Sequence, residues 1–242
     1  MATVDIQNLA ARRLDLLGGE HQKILKSKFR DAYIEGSDFA EFDSDDDWVV
    51  ANATAGTADV IDGAGGILEL DSASSTADQG VQIQRKVETI LPAADKDILF
   101  ECRLKITDTI DKVQFFAGLS VTVDPIFSAG ENASTDHIGL EANATTQAAA
   151  GGRLDFVSEK GGVRDSVATV HTADEDTFFI CGFYVNGLDN LTPLINGLPG
   201  TPIETGGTHL PVTELGASFT CLSEGTNDPI VSLDWYYVVQ VR

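Results

Sequence analysis

Hydrophobic and polar positions change their period once along this chain of 242 residues. Over residues 4–17, Ile6, Leu9, Ala10, Leu14 and Leu17 recur at helical spacing and Gly18-Gly19 stops the run. That pattern predicts a short helix, continued by a second short helical piece over residues 20–34. After residue 48 helical spacing is absent, and short runs of β character take over at 66–70, 81–87, 98–106, 113–119, 137–141, 154–158, 163–170, 177–185, 217–222 and 231–242. The clearest of them sends Phe100, Cys102, Leu104 and Ile106 to one face and Glu101, Arg103 and Lys105 to the other, as expected for a strand with one packed side. In the last run Val231, Leu233, Trp235, Tyr237, Val239 and Val241 share one face by strict alternation. The chain is therefore expected to end inside its own core, with Leu233, Trp235, Tyr237 and Val239 as the buried part of the terminal strand.

Turn residues punctuate these runs where strands must reverse. Lys160-Gly161-Gly162 and Asn186-Gly187 supply residues that tolerate positive φ, so each predicts a tight hairpin. Residues 188–215, rich in Gly, Pro and Thr, read as long surface loops. Many short antiparallel strands at uneven spacing predict an all-β jelly-roll β-sandwich with a short, partly helical N-terminal arm. The acidic run FAEFDSDDDW (39–48) marks the junction, giving an arm over residues 1–47 and a sandwich over 48–242.

Charge sharpens that division. The formal net charge is −22, yet the first thirty residues hold six of the sixteen Lys and Arg residues against three acids, leaving ten cations against thirty-five acids beyond them. A basic arm on an acidic body points to two surfaces with different partners, and the body should repel nucleic acid and anionic membranes. No stretch approaches the roughly 20 apolar residues of a membrane span, and no secretory signal opens the chain, so a soluble protein is expected. Cys102, Cys181 and Cys221 lie far apart in apolar runs and read as reduced core residues.

Candidate chemistry is sparse. Glu41–Asp46 (EFDSDD) invites comparison with the Glu-x-Asp-x-Glu strand of jelly-roll β-glucanases, but its last position is Asp45 and it precedes the sandwich. Asp43, Asp45 and Asp47 fail as a helix-loop-helix calcium loop, because Trp48 and Thr54 occupy the positions of its Gly and Glu. His21, His137, His171 and His209 lack zinc-ligand spacing, and DGAGG (62–66) lacks the Lys-Ser/Thr of a phosphate loop. No catalytic residue, metal or cofactor is expected from these patterns, and no enzyme.

Taken in order, DGAGGILEL (62–70), ILFECRLKI (98–106), VQFFAGLS (113–120), DHIGL (136–140), FYVNG (183–187) and SLDWYYVVQVR (232–242) resemble the concanavalin-like jelly roll. More closely, they resemble the virion proteins of tailed bacteriophages that carry this lectin-type sandwich behind an N-terminal arm and decorate the head. The resemblance implies a structural decoration or cement protein, made in the host cytoplasm and bound to the major capsid protein on the outside of the phage head. It also implies a homo-oligomer, a trimer in preference to a dimer. It would set Ile6, Leu9, Leu14 and Leu17 against the capsid and Arg12, Arg13, Lys23, Lys26 and Lys28 on its acidic patches. Jelly-roll glucanases and lectins share the final strand, so a carbohydrate-binding module for cell-surface glycans stands as the alternative.

Overall fold

The computed structural model describes residues 32–44, 46–53, 55–61, 66–107, 113–122, 127–128, 131–132, 134–143, 152–204, 208–225 and 227–241. Among them there is no helix. The strands are β1 (Ala32–Ser37), β2 (Trp48–Ala53), β3 (Thr57–Ile61), β4 (Ile67–Asp71), β5 (Gly80–Arg85), β6 (Ile98–Thr107), β7 (Val113–Ser120), β8 (Phe127–Ser128), β9 (Glu131–Asn132), β10 (Asp136–Ala142), β11 (Arg153–Lys160), β12 (Val163–Thr172), β13 (Phe179–Asn186), β14 (Asn190–Ile195), β15 (Leu198–Pro199), β16 (Ile203–Glu204), β17 (Gly216–Ser223) and β18 (Ile230–Val241). Sheet A runs β15-β14-β13-β6-β18-β4-β3, with β1 added beside β18 and β16 beside β14. Sheet B runs β12-β11-β10-β7-β17-β5-β2, and β8 and β9 form a separate ribbon.

Alternation along the strands builds one core between the two sheets. Phe100, Cys102, Leu104 and Ile106 of β6 and Phe183 of β13 point inward from sheet A, where they meet Ile83, Phe115, Ala117, Leu140, Phe156 and Phe219 of sheet B. Phe100 stacks on Phe183 at 5.1 Å, while Trp48, Phe39, Tyr236 and Phe219 form an aromatic knot. Each such ring removes a large apolar area from water, which is the main force holding two sheets together. Both expected hairpins form: Gly161 and Gly162 turn β11 into β12 with φ of 58° and 78°, and Gly187, at φ 57°, follows β13 into β14.

Four expectations change. The helix over 4–17 lies outside the described residues, but the second helical piece fails at its end, because residues 32–34 belong to strand β1. The boundary at residue 47 also falls inside the sandwich. β1 pairs with β18 from Ala32↔Val241 to Ser37↔Tyr236, and Phe39 is fully buried in the core, so the acidic run is a turn between two strands of the body. Residues 188–215 hold three strands instead of loops, with Leu191, Leu194, Ile203 and Leu210 buried.

The fourth change is in the terminal strand. β18 pairs with β6 at Leu233↔Leu104 and then at Trp235↔Arg103, so Asp234 is an extra residue without a counterpart. A bulge of one residue moves every later side chain to the opposite face. Val231, Leu233, Tyr236 and Val238 therefore enter the core between the sheets, while Trp235, Tyr237 and Val239 stand on the outer face of sheet A in a second apolar cluster.

Candidate functional site

The outer face of sheet B carries the densest collection of polar side chains that the core does not use. It is built from strands whose inward residues are apolar and whose outward ones are amides, hydroxyls and charges. β7 sends Val113, Phe115, Ala117 and Leu119 inward, leaving Gln114, Phe116 and Ser120 outward. On β10, Ile138, Leu140 and Ala142 point inward, and His137, Gly139 and Glu141 point outward. On β17, Ser218 and Thr220 occupy the outward positions beside Gln84 and Gln82 of β5.

Cross-strand register assembles these residues into rows. Gln84, Ser218 and Ser120 form a hydroxyl–amide cluster in which the two serine oxygens lie 2.7 Å apart and the Gln84 amide donates to Ser120 at 3.2 Å. His137 lies opposite Ser120 on one side and Glu159 on the other. Its Nδ1 contacts the Ser134 carbonyl at 2.9 Å and its ring meets Phe116 edge-on at 5.7 Å. Gly139 is required between them: a Cβ there would come within 2.8 Å of the Phe116 ring and 2.6 Å of the Ala117 carbonyl oxygen.

Glu141 sits opposite Asp155, and both are held by cations. Arg164 reaches from β12 to Glu141, and the Asn143 amide donates to the same carboxylate oxygen at 2.8 Å. Arg153 holds Asp155 at 2.9 Å, and the Thr169 N–H donates to it at 2.7 Å. Burial pushes the Glu141 carboxyl above the ordinary carboxylate range, opposed by the Arg164 guanidinium and helped by the Asp155 charge. Burial also pulls His137 down to about 4, the positive charge of Arg164 acting in the same direction. At neutral pH the histidine is therefore uncharged.

Four side chains of this face hold buried hydrogen-bonding atoms with no partner among the described residues: Gln114 Oε1, His137 Nε2, Glu141 Oε2 and Thr220 Oγ1. They come from β17, β7 and β10, three successive strands. Along β12 the face opens to solvent at Arg164, Ser166 and Ala168. The side chains of this array are themselves buried, Phe116 at its centre included, and its spare capacity is for a partner that offers both donors and acceptors.

The residues singled out from the sequence lie elsewhere. Ile6, Leu9, Arg12, Arg13, Leu14, Leu17, Lys23, Lys26 and Lys28 fall outside the described residues. Leu233 is in the main core, but Trp235, Tyr237 and Val239 are buried on the other side of sheet A. Glu41–Asp46 makes no catalytic strand: the Asp43 carbonyl accepts the N–H groups of Asp47 and Trp48, and its carboxylate accepts that of Asp46 at 2.9 Å. The sequence did carry one overlooked signal. His137-x-Gly139-x-Glu141 has the alternate spacing of Glu-x-Asp-x-Glu inside the sandwich, with a carboxylate kept at its last position alone.

No protein-family model matches the chain, and no curated protein matches it in sequence. Solved structures do match. A glycoside hydrolase family 16 protein of Bacteroides ovatus, solved with a mixed-linkage glucan product, superimposes with a TM-score of 0.58 at 12% identity over 84% of this chain and 99% of its own. Peanut lectin gives a TM-score of 0.59 at 11% identity over 86% and 97%. A Shewanella oneidensis protein of unknown function gives 0.59 at 12% over 92% and 94%. The fold is thus the concanavalin-like jelly roll shared by lectins and family 16 glucanases. These neighbours give no support to the narrower resemblance to phage head proteins. With family 16 glucanases among these neighbours, the expectation that the chain is no enzyme does not stand; identity near 12% shows the fold alone.

Proposed function

We propose that the protein recognises carbohydrate through the outer face of sheet B. The observation that carries this reading is the set of four buried, unpartnered polar atoms on Gln114, His137, Glu141 and Thr220. Leaving such a group unsatisfied costs about 1 to 3 kcal/mol, so four on one face call for a ligand that supplies both donors and acceptors. A sugar hydroxyl does both. Gln82 and Gln84 extend the row with amides. The jelly-roll neighbours that bind or act on glycans support the reading at the level of the fold.

Isothermal titration with mixed-linkage β-glucan oligosaccharides and with a ganglioside headgroup tests it, alongside a reducing-end assay on the same glucans. Saturable binding that weakens about tenfold in Thr220→Val and Gln114→Ala is the expected result, since each loses a hydrogen bond to the ligand. Release of new reducing ends that disappears in Glu141→Gln would extend the role from recognition to hydrolysis. Absence of binding to every glycan in a broad screen, or binding unchanged in both variants, would overturn the proposal.

A further inference from the structure

Two of the three cysteines meet across a strand pair. β6 and β13 run antiparallel with Cys102 directly opposite Cys181, and both side chains belong to the core between the sheets. Their sulfur atoms lie 3.5 Å apart, a thiol–thiol contact in which both residues are fully buried. The next rows on the same face are Phe100 opposite Phe183 and Leu104 opposite Phe179, so the pair sits in an apolar layer. On their other sides, Cys102 faces Tyr236 of β18 and Cys181 faces Ile195 of β14. Cys221 belongs to the other sheet, between Val81 and Phe115, and its thiol donates to the Pro229 carbonyl at 3.1 Å. Directly opposite residues of an antiparallel pair hold their Cα atoms about 4.5 to 5.5 Å apart, inside the range a disulfide spans.

The geometry points to a covalent modification site: Cys102 and Cys181 form a disulfide that staples β6 to β13 when the chain folds in the presence of a small disulfide oxidant such as oxidised glutathione. The thiolate of one cysteine attacks the glutathione disulfide, giving a mixed disulfide and one glutathione thiolate. The second protein thiolate attacks the mixed disulfide at the protein sulfur and releases the second glutathione. The two cysteine protons end on the two glutathione thiols, and two electrons pass from the cysteine pair to the oxidant. Closing the bond brings the sulfurs from 3.5 Å to about 2.05 Å, a shift within reach of side-chain rotation because the strands are already in register. Burial sets the timing. It holds the Cys102 thiol above its ordinary range, which starves the folded pair of the reactive thiolate, and it bars the oxidant from the sulfurs. The bond therefore forms while the sheets assemble, and the same apolar layer then shields it from reductants. Cys221, in the other sheet, remains a thiol.

The test unfolds the full chain and refolds it by dilution, either into a mixture of oxidised and reduced glutathione or into dithiothreitol. Each product is denatured in N-ethylmaleimide, and its intact mass counts the free thiols. One labelled thiol is expected after glutathione and all three after dithiothreitol. Digestion at glutamate without reduction separates the cysteines, because Glu101 precedes Cys102 while Glu204 and Glu214 lie between Cys181 and Cys221. The linked peptides should carry Cys102 and Cys181. Cys221→Ser, whose hydroxyl can keep the hydrogen bond to Pro229, should show no labelled thiol after glutathione. The oxidised protein should yield its bond to dithiothreitol only once denaturant is added. Its urea midpoint should lie about 1 M above that of the reduced form, since the bridge joins residues 79 positions apart. Three labelled thiols after glutathione in protein with the circular dichroism of a folded sandwich, or linked peptides that include Cys221, would overturn the proposal.

Discussion

Acidification isolates the energetic state of His137. Its ring is fully buried, and its pKa falls from the ordinary 6.5 to about 4, chiefly through burial and secondarily through the charge of Arg164. Between those two values the unfolded chain holds a proton that the folded one refuses, so stability falls with falling pH. The contribution is complete above pH 6.5 and gone below about 4. Two and a half units at about 1.4 kcal/mol each amount to about 3 kcal/mol. Urea unfolding at a series of pH values measures it, comparing wild type with His137→Asn, a variant whose amide can still reach the Ser134 carbonyl but cannot titrate. Carboxylates ionise over the same range in both proteins, so the difference between the two curves reports the imidazole. Wild type should lose about 3 kcal/mol relative to the variant between pH 7 and 4. A difference that stays flat across that range would refute the claim that a neutral, desolvated histidine sits in this face.

Other substitutions test how the body is held. Glu35 accepts hydrogen bonds from Thr89 at 2.8 Å, Tyr236 at 3.1 Å and Tyr33 at 3.2 Å, and the Arg85 guanidinium lies 3.2 Å away. Glu35→Ala strands a buried hydroxyl and a partly buried cation, so chemical denaturation should show a loss of about 3 to 5 kcal/mol, with Glu35→Gln losing about 1 to 2. A Cβ on Gly182 would meet the Phe100 carbonyl oxygen at 2.1 Å, backbone that cannot yield cheaply. Gly182→Ala should therefore lower stability by about 3 kcal/mol in thermal unfolding, and an unchanged midpoint would contradict the close approach of β13 to β6. Deleting Asp234 removes the bulge and exchanges the faces of Trp235 and Tyr236. Soluble, folded protein from that deletion would show that the bulge does not set the register.

Much of the sandwich is legible in the sequence because one-sided burial writes a period of two into it. β6 alternates as its letters predict, and Gly161-Gly162 turns the chain where they stand. β7 forms where the run at 113–119 predicts a strand, but it is buried on both faces, so its polar outward residues are hidden among apolar ones. Other strands escape notice because their surroundings break the rule. β14 begins in a stretch rich in Gly, Pro and Thr, and its pairing with β13 comes from a hairpin that local propensity understates. Residues 32–34, the start of β1, fit the helical piece expected over 20–34 because their letters suit either period, and the partner that decides it, β18, lies about two hundred residues away. The site was harder still. Gln114, Glu141 and Thr220 become neighbours only through the order β10-β7-β17, which no local pattern encodes.

The bulge at Asp234 explains why the two sheets differ on their outer faces. Unbroken alternation would send Trp235, Tyr237 and Val239 into the core and turn Tyr236 and Val238 out. With one extra residue, the first half of β18 fills the core with Val231 and Leu233 and the second half with Tyr236 and Val238. Trp235, Tyr237 and Val239 are then left for the outside of sheet A. Sheet B keeps strict alternation along β7, β10 and β17, so its outer face retains amides, hydroxyls and carboxylates. Apolar surface attracts cover because hiding it from water is favourable in itself, whereas a polar face gains only from partners that match its donors and acceptors. A polyhydroxyl ligand finds no match on the apolar outside of sheet A, which is why the recognition proposed above is sought on the outside of sheet B.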